Sequence, residues 1–535
     1  MNFETYSFPS RRSNIIGVNG LVATSQPLAA QAGLAILQAG GNAIDAAIAA
    51  VATLCVVEPC STGIGGDAFA LIWSARDRQL YGLNASGPAP TALTADLLRG
   101  QGHAKVPETG GHSVTVPGSL RGWQLALERF GTMGLDRLLR QPIAYASFGF
   151  PVSQRIARAW ANSTAKMAAD PDSRRVWLPG GRAPKAAERF ANPEFAATLR
   201  LLAESGPDAF YQGEIAGQIA ACVQKAGGLL TEEDLAGYRA EWVTPIYADF
   251  GEGYTFYEIP PNGQGLTALL ALNLAQGFDL GALGYGTADY YHVLIEATKL
   301  AFADAHAYIA DPRQAEIPLD GLLSEGYTQT RRALIEMDRA NPPQAGQPPR
   351  HGDTVYLTVA DGQGNMVSWI QSLYMGFGSG LTAGTTGIQL QNRGANFSLE
   401  AGHPNEVGPG KRPFHTIIPG FISKDGQPWC SFGVMGGFMQ PQGHLQVGLN
   451  LAAFGMDPQT ALDAPRFNWL EGMAVGVETA VSPDIRAELA RRGHQLHPSD
   501  KPLHYGGGQV IIRDPESGVL IGGSEPRNDG TAVGW

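Results

Sequence analysis

The stretch from His351 to Asp361 constrains this chain more than any other. Val355 to Ala360 is β-branched and apolar, without glycine or proline, and reads as a buried strand. Just upstream, the segment from Pro342 to Gly352 is polar and rich in proline, the texture of an exposed linker. Thr354 therefore stands where a flexible segment enters a rigid sheet. A threonine hydroxyl is a weak nucleophile unless a base adjoins it. One economical base is the residue's own α-amine, whose ordinary pKa is about 7.7–8.0. That amine becomes available only if the chain is cut between Asp353 and Thr354. The expectation is a chain that cleaves itself there and then uses Thr354 as an N-terminal nucleophile. A strand that merely begins with threonine after a loop is the alternative reading of the same residues.

Further motifs lie on both sides of this junction. Upstream are Gly40-Gly41-Asn42-Ala43-Ile44-Asp45-Ala46-Ala47, Val57-Glu58-Pro59, Gly63-Ile64-Gly65-Gly66 and Leu300-Ala301-Phe302-Ala303-Asp304. Downstream are Gly387, Lys411-Arg412-Pro413 and Met435-Gly436-Gly437. In this order, and over nearly the whole chain, they resemble the γ-glutamyltranspeptidase family of N-terminal-nucleophile hydrolases. The resemblance implies an α+β fold, an αββα sandwich built from two autoprocessed subunits. Residues 1–353 would form a helix-rich large subunit and residues 354–535 a small one starting at the nucleophile. The product would be an α/β heterodimer forming one body, with further dimerisation left open.

Length alone, 535 residues, suggests two or more domains, where the resemblance implies one interlocked body. Hydrophobic residues at 44% and charged ones at 16% exclude a disordered chain. The net charge of −11, without a basic stripe, argues against a nucleic-acid partner. No segment has the length and apolarity of a membrane span, and the first residues contain no apolar core of signal-peptide length, so a cytoplasmic protein is expected. Cys55, Cys60, Cys222 and Cys430 are too few for a disulfide framework and read as buried or incidental thiols.

Along the chain, Leu21–Thr24 reads as a strand. Ser25-Gln26-Pro27 starts a helix that Gly40-Gly41 stops, and Asn42 caps an alanine-rich helix to about Leu54. Gly63-Ile-Gly65-Gly66-Asp67-Ala68 has the spacing of a dinucleotide fingerprint, but it leads into a strand-like run where a pyrophosphate would need a helix, so no nucleotide cofactor is expected. Residues 100–350 read as mostly helical, with helices opened by Thr231 and spanning Tyr290 to Asp311. His292, Glu296, Asp304 and His306 lie along the latter without metal-site spacing, so a solvated or structurally bonded face is expected and no metal. Beyond Thr354, Asn365–Ser372, Gly387–Leu390, Thr416–Ser423, Trp429–Val434 and Gln509–Arg513 read as strands, and helices return at Gln442–Phe454 and Pro458–Ala464. The pattern suggests a β-rich half joined to a helix-rich half.

The resemblance also implies roles in the site. The N–H groups of Gly436 and Gly437 would face the developing oxyanion, and Ser372 would replace a threonine that hydrogen-bonds the nucleophile. The arginine that holds the γ-glutamyl α-carboxylate in relatives corresponds here to Asn84, and the aspartate that grips the α-ammonium corresponds to Asn396. The neighbouring asparagine, glutamine and paired serines appear as Tyr374, Arg393, His415 and Thr416. The loop from Ser398 to Gly410 is too short for the lid of many relatives. Loss of both charged anchors removes several kcal/mol of binding to an amino acid, since charged hydrogen bonds are worth about 1.5–3 kcal/mol each. Arg393 would be the new cation, suited to a bidentate grip on a carboxylate, unless it serves a structural salt bridge. His415 could equally be a satisfied core histidine. The expected substrate is a small acid amide without an α-ammonium: oxamate first, a glutaryl or cephalosporin-type half-amide second. A glutathione hydrolase and a processed but silent binding protein are the rivals.

Overall fold

The computed structural model describes residues 8, 10, 12–343 and 353–535; residues 344–352, most of the segment read as a linker, lie outside the described residues, as do residues 1–7, 9 and 11. Among the described residues fourteen strands build two seven-stranded sheets. In chain order they are β1 (Ile15–Gly17), β2 (Gly20–Thr24), β3 (Asp67–Ser74), β4 (Gln79–Ala85), β5 (Glu241–Val243), β6 (Ile246–Phe250) and β7 (Tyr254–Glu258). Then follow β8 (Asp353–Asp361), β9 (Met366–Tyr374), β10 (Gly420–Lys424), β11 (Gln427–Met435), β12 (Gly507–Arg513), β13 (Leu520–Ser524) and β14 (Thr531–Gly534). One sheet runs β1-β13-β12-β11-β10-β7-β6 and the other β14-β2-β8-β9-β3-β4-β5.

The side chains of β8 explain why its sequence is apolar throughout. Val355, Leu357 and Val359 pack into the core under the helices, whereas Tyr356 and Ala360 pack into the core between the sheets. With a period of two and both faces covered, every position from Thr354 to Asp361 is buried. On the helical side lie α1 (Pro27–Gln38) and α2 (Ala43–Val57), the latter buried along its whole length. Asn42 caps α2 in a capping box with Asp45, whose carboxylate also receives the backbone N–H groups of Thr132 and Met133. Against the outer face of the other sheet pack α4 (Gly265–Ala275), α5 (Ala288–Tyr308), α6 (Met439–Ala452) and α7 (Pro458–Asp463), in a separate apolar core. A further helix, α3 (Gln154–Asn162), reaches the pocket lined by Thr354. Helices, sheet, sheet, helices: this is the αββα sandwich that the resemblance implied.

Several local expectations need correction. The strands are not segregated into one half, because β2 to β5 and β8, β9 and β14 share one sheet, and β6 and β7 complete the other. The 241–258 segment was read as part of a helical region, yet buried Ile246, Ala248 and Phe250 alternate with exposed Tyr247 and Asp249, a strand period. Gly387–Leu390 forms only isolated bridges, Gly65 with Leu390 and Thr382 with Gln389, and the strand expected from Thr416 begins at Gly420. Within Ser25-Gln26-Pro27 it is Gln26 that caps α1, with Pro27 in the first turn as expected, while the Ser25 hydroxyl is turned to Glu58. Of the two alternatives for the face of α5 carrying His292 and Glu296, solvated or structurally bonded, the second holds: both residues are buried and hydrogen-bonded. Among the described residues no helix is long and apolar enough to cross a membrane.

Because β8 is hydrogen-bonded to β2 on one side and β9 on the other, a cut before Thr354 leaves it locked in the sheet. A chain cut there is expected to elute as one native species and to separate only under denaturing conditions. Residues 354–535 expressed alone should be insoluble, since their strands lose sheet neighbours and helical cover; a soluble, folded 354–535 fragment would contradict this interleaving.

Candidate active site

The register between β8 and β9 slips between Asp353 and Val355, which places Thr354 beside a bulge formed by Ser372 and Leu373. Bulges re-aim side chains. Here Thr354, buried at 3% exposure, donates its hydroxyl to Ser372 Oγ at 3.2 Å, and Ser372 Oγ in turn accepts the N–H of Tyr374 at 2.7 Å. Tyr374 has φ +82°, uncommon for a residue other than glycine, so the turn leaving β9 is strained at the site itself. The glycine turn that precedes β3 lets this happen. A Cβ on Gly66 would lie 2.2 Å from the carbonyl oxygen of Ser372, so only glycine permits the approach.

On the facing sheet, β11 ends at Met435 and the chain turns through Gly436 and Gly437, with φ +133° and +60°. Their carbonyls are fixed: Met439 N–H donates to Gly436 O, and the Gln264 side chain and Gln440 N–H donate to Gly437 O. Their own N–H groups meet no acceptor among the described residues. Such a pair of free, rigid donors can receive a developing negative charge. Thr354, Met435 and Gly436 line one pocket, together with Ser25, Glu58, Ser61, Arg155 and Asp529 among others.

The remaining residues singled out from the sequence do not line that pocket. They gather behind Ser372 as a buried polar cluster. Arg393 is fully buried, its guanidinium lies 4.3 Å from the Tyr374 ring centroid, and one nitrogen donates to Thr416 Oγ1 at 2.6 Å. Its buried Nε and Nη2 have no partner among the described residues, and the Tyr374 hydroxyl lies beside the Asn396 side chain. Burial pushes the Arg393 guanidinium down to about 10, against the pull of Asp67. Asn396 donates to Phe414 O. His415 is held at both ring nitrogens, by Asp67 and by the N–H of Ile417, and burial beside Arg393 keeps it neutral. Asn84 is committed to Asn262 and Ser86. The 398–410 loop packs Leu399 and Val407 against Leu93 and Leu98.

Sequence reasoning missed the residues that hold these in place. Gln440, on the first turn of α6, reaches Thr354 Oγ1 at 3.5 Å while its carbonyl receives Ile418 N–H. Asp67, at the end of the glycine turn, accepts from Gly87, Gly118, Gln391 and His415. Burial pushes its carboxyl up to about 7, while Arg393 and these donors pull it down. Position after a glycine turn was the one signal for either residue. His292, Glu296 and His494 converge within 4.8 Å, where three ligand atoms could meet an ion. In this network, however, the ammonium of Lys299 sits 2.6 Å from Glu296, and the two histidines are hydrogen-bonded to each other.

A family model described as Gamma-glutamyltranspeptidase matches residues 29–535. The chain is 38% identical to the Glutathione hydrolase-like YwrD proenzyme of Bacillus subtilis (strain 168), over 97% of this chain and 99% of that one. It is 35% identical to the Oxamate amidohydrolase proenzyme of Klebsiella pneumoniae, over 98% and 100%. The crystal structure of cephalosporin acylase from Bacillus halodurans superposes with a TM-score of 0.94 at 49% identity, over 100% and 99% of the two chains.

If the Gly436 and Gly437 amides receive an oxyanion, Gly437→Ala should fold, at a cost of about 1–2 kcal/mol for a side chain at positive φ. Alanine keeps the N–H, but its methyl should shift that donor or obstruct the substrate's approach, with a loss in kcat of up to about 100- to 1,000-fold, the size seen when one such donor is lost. Wild-type turnover in the folded variant would remove the glycine pair from the mechanism.

Proposed function

The chain belongs to the gamma-glutamyltranspeptidase family and is an amide-bond hydrolase; from that premise we propose that it matures by cutting itself before Thr354 and hydrolyses amides of small carboxylic acids that carry no α-ammonium. In maturation, Thr354 Oγ attacks the carbonyl carbon of Asp353 and its nitrogen leaves, giving an ester. Water then splits the ester into the Asp353 carboxylate and a free Thr354 α-amine. The subunits are residues 1–353 and 354–535. In turnover the α-amine takes the hydroxyl proton as Oγ attacks the amide carbonyl, and the N–H groups of Gly436 and Gly437 hold the oxyanion. The α-ammonium protonates the leaving nitrogen, the C–N bond breaks, and water hydrolyses the acyl-threonine to free acid. Ser372 and Gln440 orient the hydroxyl throughout.

The single observation that carries the substrate class is Arg393. A guanidinium without solvent and with two unpartnered nitrogens costs free energy unless a ligand meets it, and a carboxylate matches its fork. Its stacking on Tyr374, whose N–H touches Ser372, favours a short acid, so oxamate, giving oxalate and ammonia, is the first substrate proposed. A longer half-amide such as glutaryl is the second reading, favoured by the 49% identity to a cephalosporin acylase. Asn84 and Asn396, where γ-glutamyl hydrolases keep charged anchors, argue against glutathione.

Amine release should therefore be measurable with oxamate or glutaryl amide and slow with glutamine and glutathione; the reverse order would reject the acid-amide assignment. Thr354→Ala should run as one full-length band on a denaturing gel, and efficient cleavage in that variant would take the nucleophile role from Thr354. Arg393→Gln should process normally yet lose about 10- to 100-fold in kcat/KM for the acid amide, with Arg393→Lys less affected, because lysine keeps the charge without the fork. Equal kcat/KM in all three proteins would make Arg393 structural.

A further inference from the structure

The cluster around Arg393 holds a carboxylate as well as a cation, and both are fully buried. Hydrogen bonds place Asp67 and Arg393 on the same two segments. Gln391, two residues before Arg393, donates to Asp67 Oδ1 at 2.9 Å. His415 donates its Nε2–H to Asp67 Oδ2 at 3.1 Å and is followed by Thr416, whose hydroxyl accepts from Arg393 at 2.6 Å. The backbone N–H groups of Gly87 and Gly118 complete the set, each 3.0 Å from Oδ1. Asp67 is thus the counter-charge of Arg393 and the point at which both segments are fixed.

The charges limit what this cluster can take in. Empty, it is neutral: Arg393 stands against Asp67, and His415 is uncharged. The other ionisable groups facing it leave that sum unchanged. Tyr211, Tyr238 and Tyr374 are buried phenols whose pKa desolvation raises, Arg121 and Arg412 are paired with Asp208 and Glu241, and Glu108 is exposed. A substrate carboxylate on Arg393 adds a second anion to a single cation, out of solvent, and an uncompensated buried charge is costly. It also cancels the pull of Arg393, which holds the Asp67 carboxyl down at about 7 against the effect of burial. The hydrogen bonds allow a proton in. His415 now accepts the Ile417 N–H at Nδ1 and so carries its own proton on Nε2. In the other tautomer Nε2 accepts an O–H from Asp67 Oδ2; only the long 3.3 Å bond from Ile417 is given up, and Oδ1 keeps its three donors.

We propose that Asp67, acting with His415, takes up a solvent proton as the substrate's carboxylate reaches Arg393, so that the enzyme binds an acid amide together with one proton. This rests on the reading of Arg393 as the acyl-side cation and deepens it. Asp67 does not line the pocket at Thr354 and is a positioning residue. One carboxylate and one proton enter together, and both are released when the product acid leaves. Below about pH 7 the empty enzyme already carries the proton; above it, each binding event has to draw one from solvent, so affinity for the acid falls as pH rises.

The test compares amides that differ only in this charge, oxamate against oxamide and glutaramate against glutaramide, with the processed enzyme from about pH 6 to about pH 9. Both acids stay ionised over that range, and titration of the Thr354 α-amine affects both members alike, so it cancels in the ratio of their kcat/KM values. For the reactive pair the acid-to-neutral ratio should be level up to about pH 7 and then fall by up to about tenfold per unit, with KM for the acid rising in step. In Asp67→Asn, whose side chain has the shape and hydrogen-bonding pattern of the protonated acid, ratio and KM should stay level throughout. A level ratio and KM in the wild type overturn the proposal, and that measurement needs no variant to fold. A fall that persists in folded Asp67→Asn also overturns it, by assigning the proton to another group. Failure of the wild type to hydrolyse either acid would instead reject the acid-amide reading beneath it.

Discussion

The antiparallel ladder that holds β8 between β2 and β9 is the interaction on which the rest depends. A nucleophile that is also a chain end needs a strand able to lose its upstream connection without moving. That ladder supplies the rigidity, because the hydrogen bonds on both edges and the apolar cores on both faces stay intact when one peptide bond breaks. It also explains the interleaving of strands from before and after residue 353: if each piece folded its own sheet, a cut would separate them.

Rigidity at the strand is continued through polar side chains buried where water cannot help. Gln264 fixes the carbonyl of Gly437, Gln440 spans from Ile418 to Thr354, and Asp67 gathers two backbone amides, Gln391 and His415. Each of these groups would cost about 1–3 kcal/mol if left unpaired, so each partner is held in one place. Arg393 keeps buried nitrogens without partners among the described residues, and Arg155 lines the pocket with its guanidinium unpaired among the described residues. Buried polar atoms without a partner among the described residues occur elsewhere in the molecule as well, Gln264 Oε1 and Gln391 Oε1 among them.

Much of this was legible locally. The apolar run at Val355–Ala360, the cap at Asn42, the helix at Glu232–Gly237 and the glycine turn before Asp67 were all readable, because each is set by neighbours a few residues away. The strands at 241–258 were misread although their alternation was present, because they are short and lie in a helical region. On α5 the sequence left two alternatives, a solvated or a structurally bonded face, and only the packing against His494 and Asn341 decides for the second.

By itself the sequence determined the strand at Thr354, the glycine turns, the family and hence the αββα layering, since periodicity and motifs are properties of chain order. Only the tertiary structure decided that Gln440 and Asp67 belong to the site, that Asn84 and His415 are occupied by protein partners, and that Arg393 and Arg155 stand in different places around Thr354. Those facts are distances between residues far apart in the chain, and no local pattern encodes a distance that arises only when two sheets close face to face.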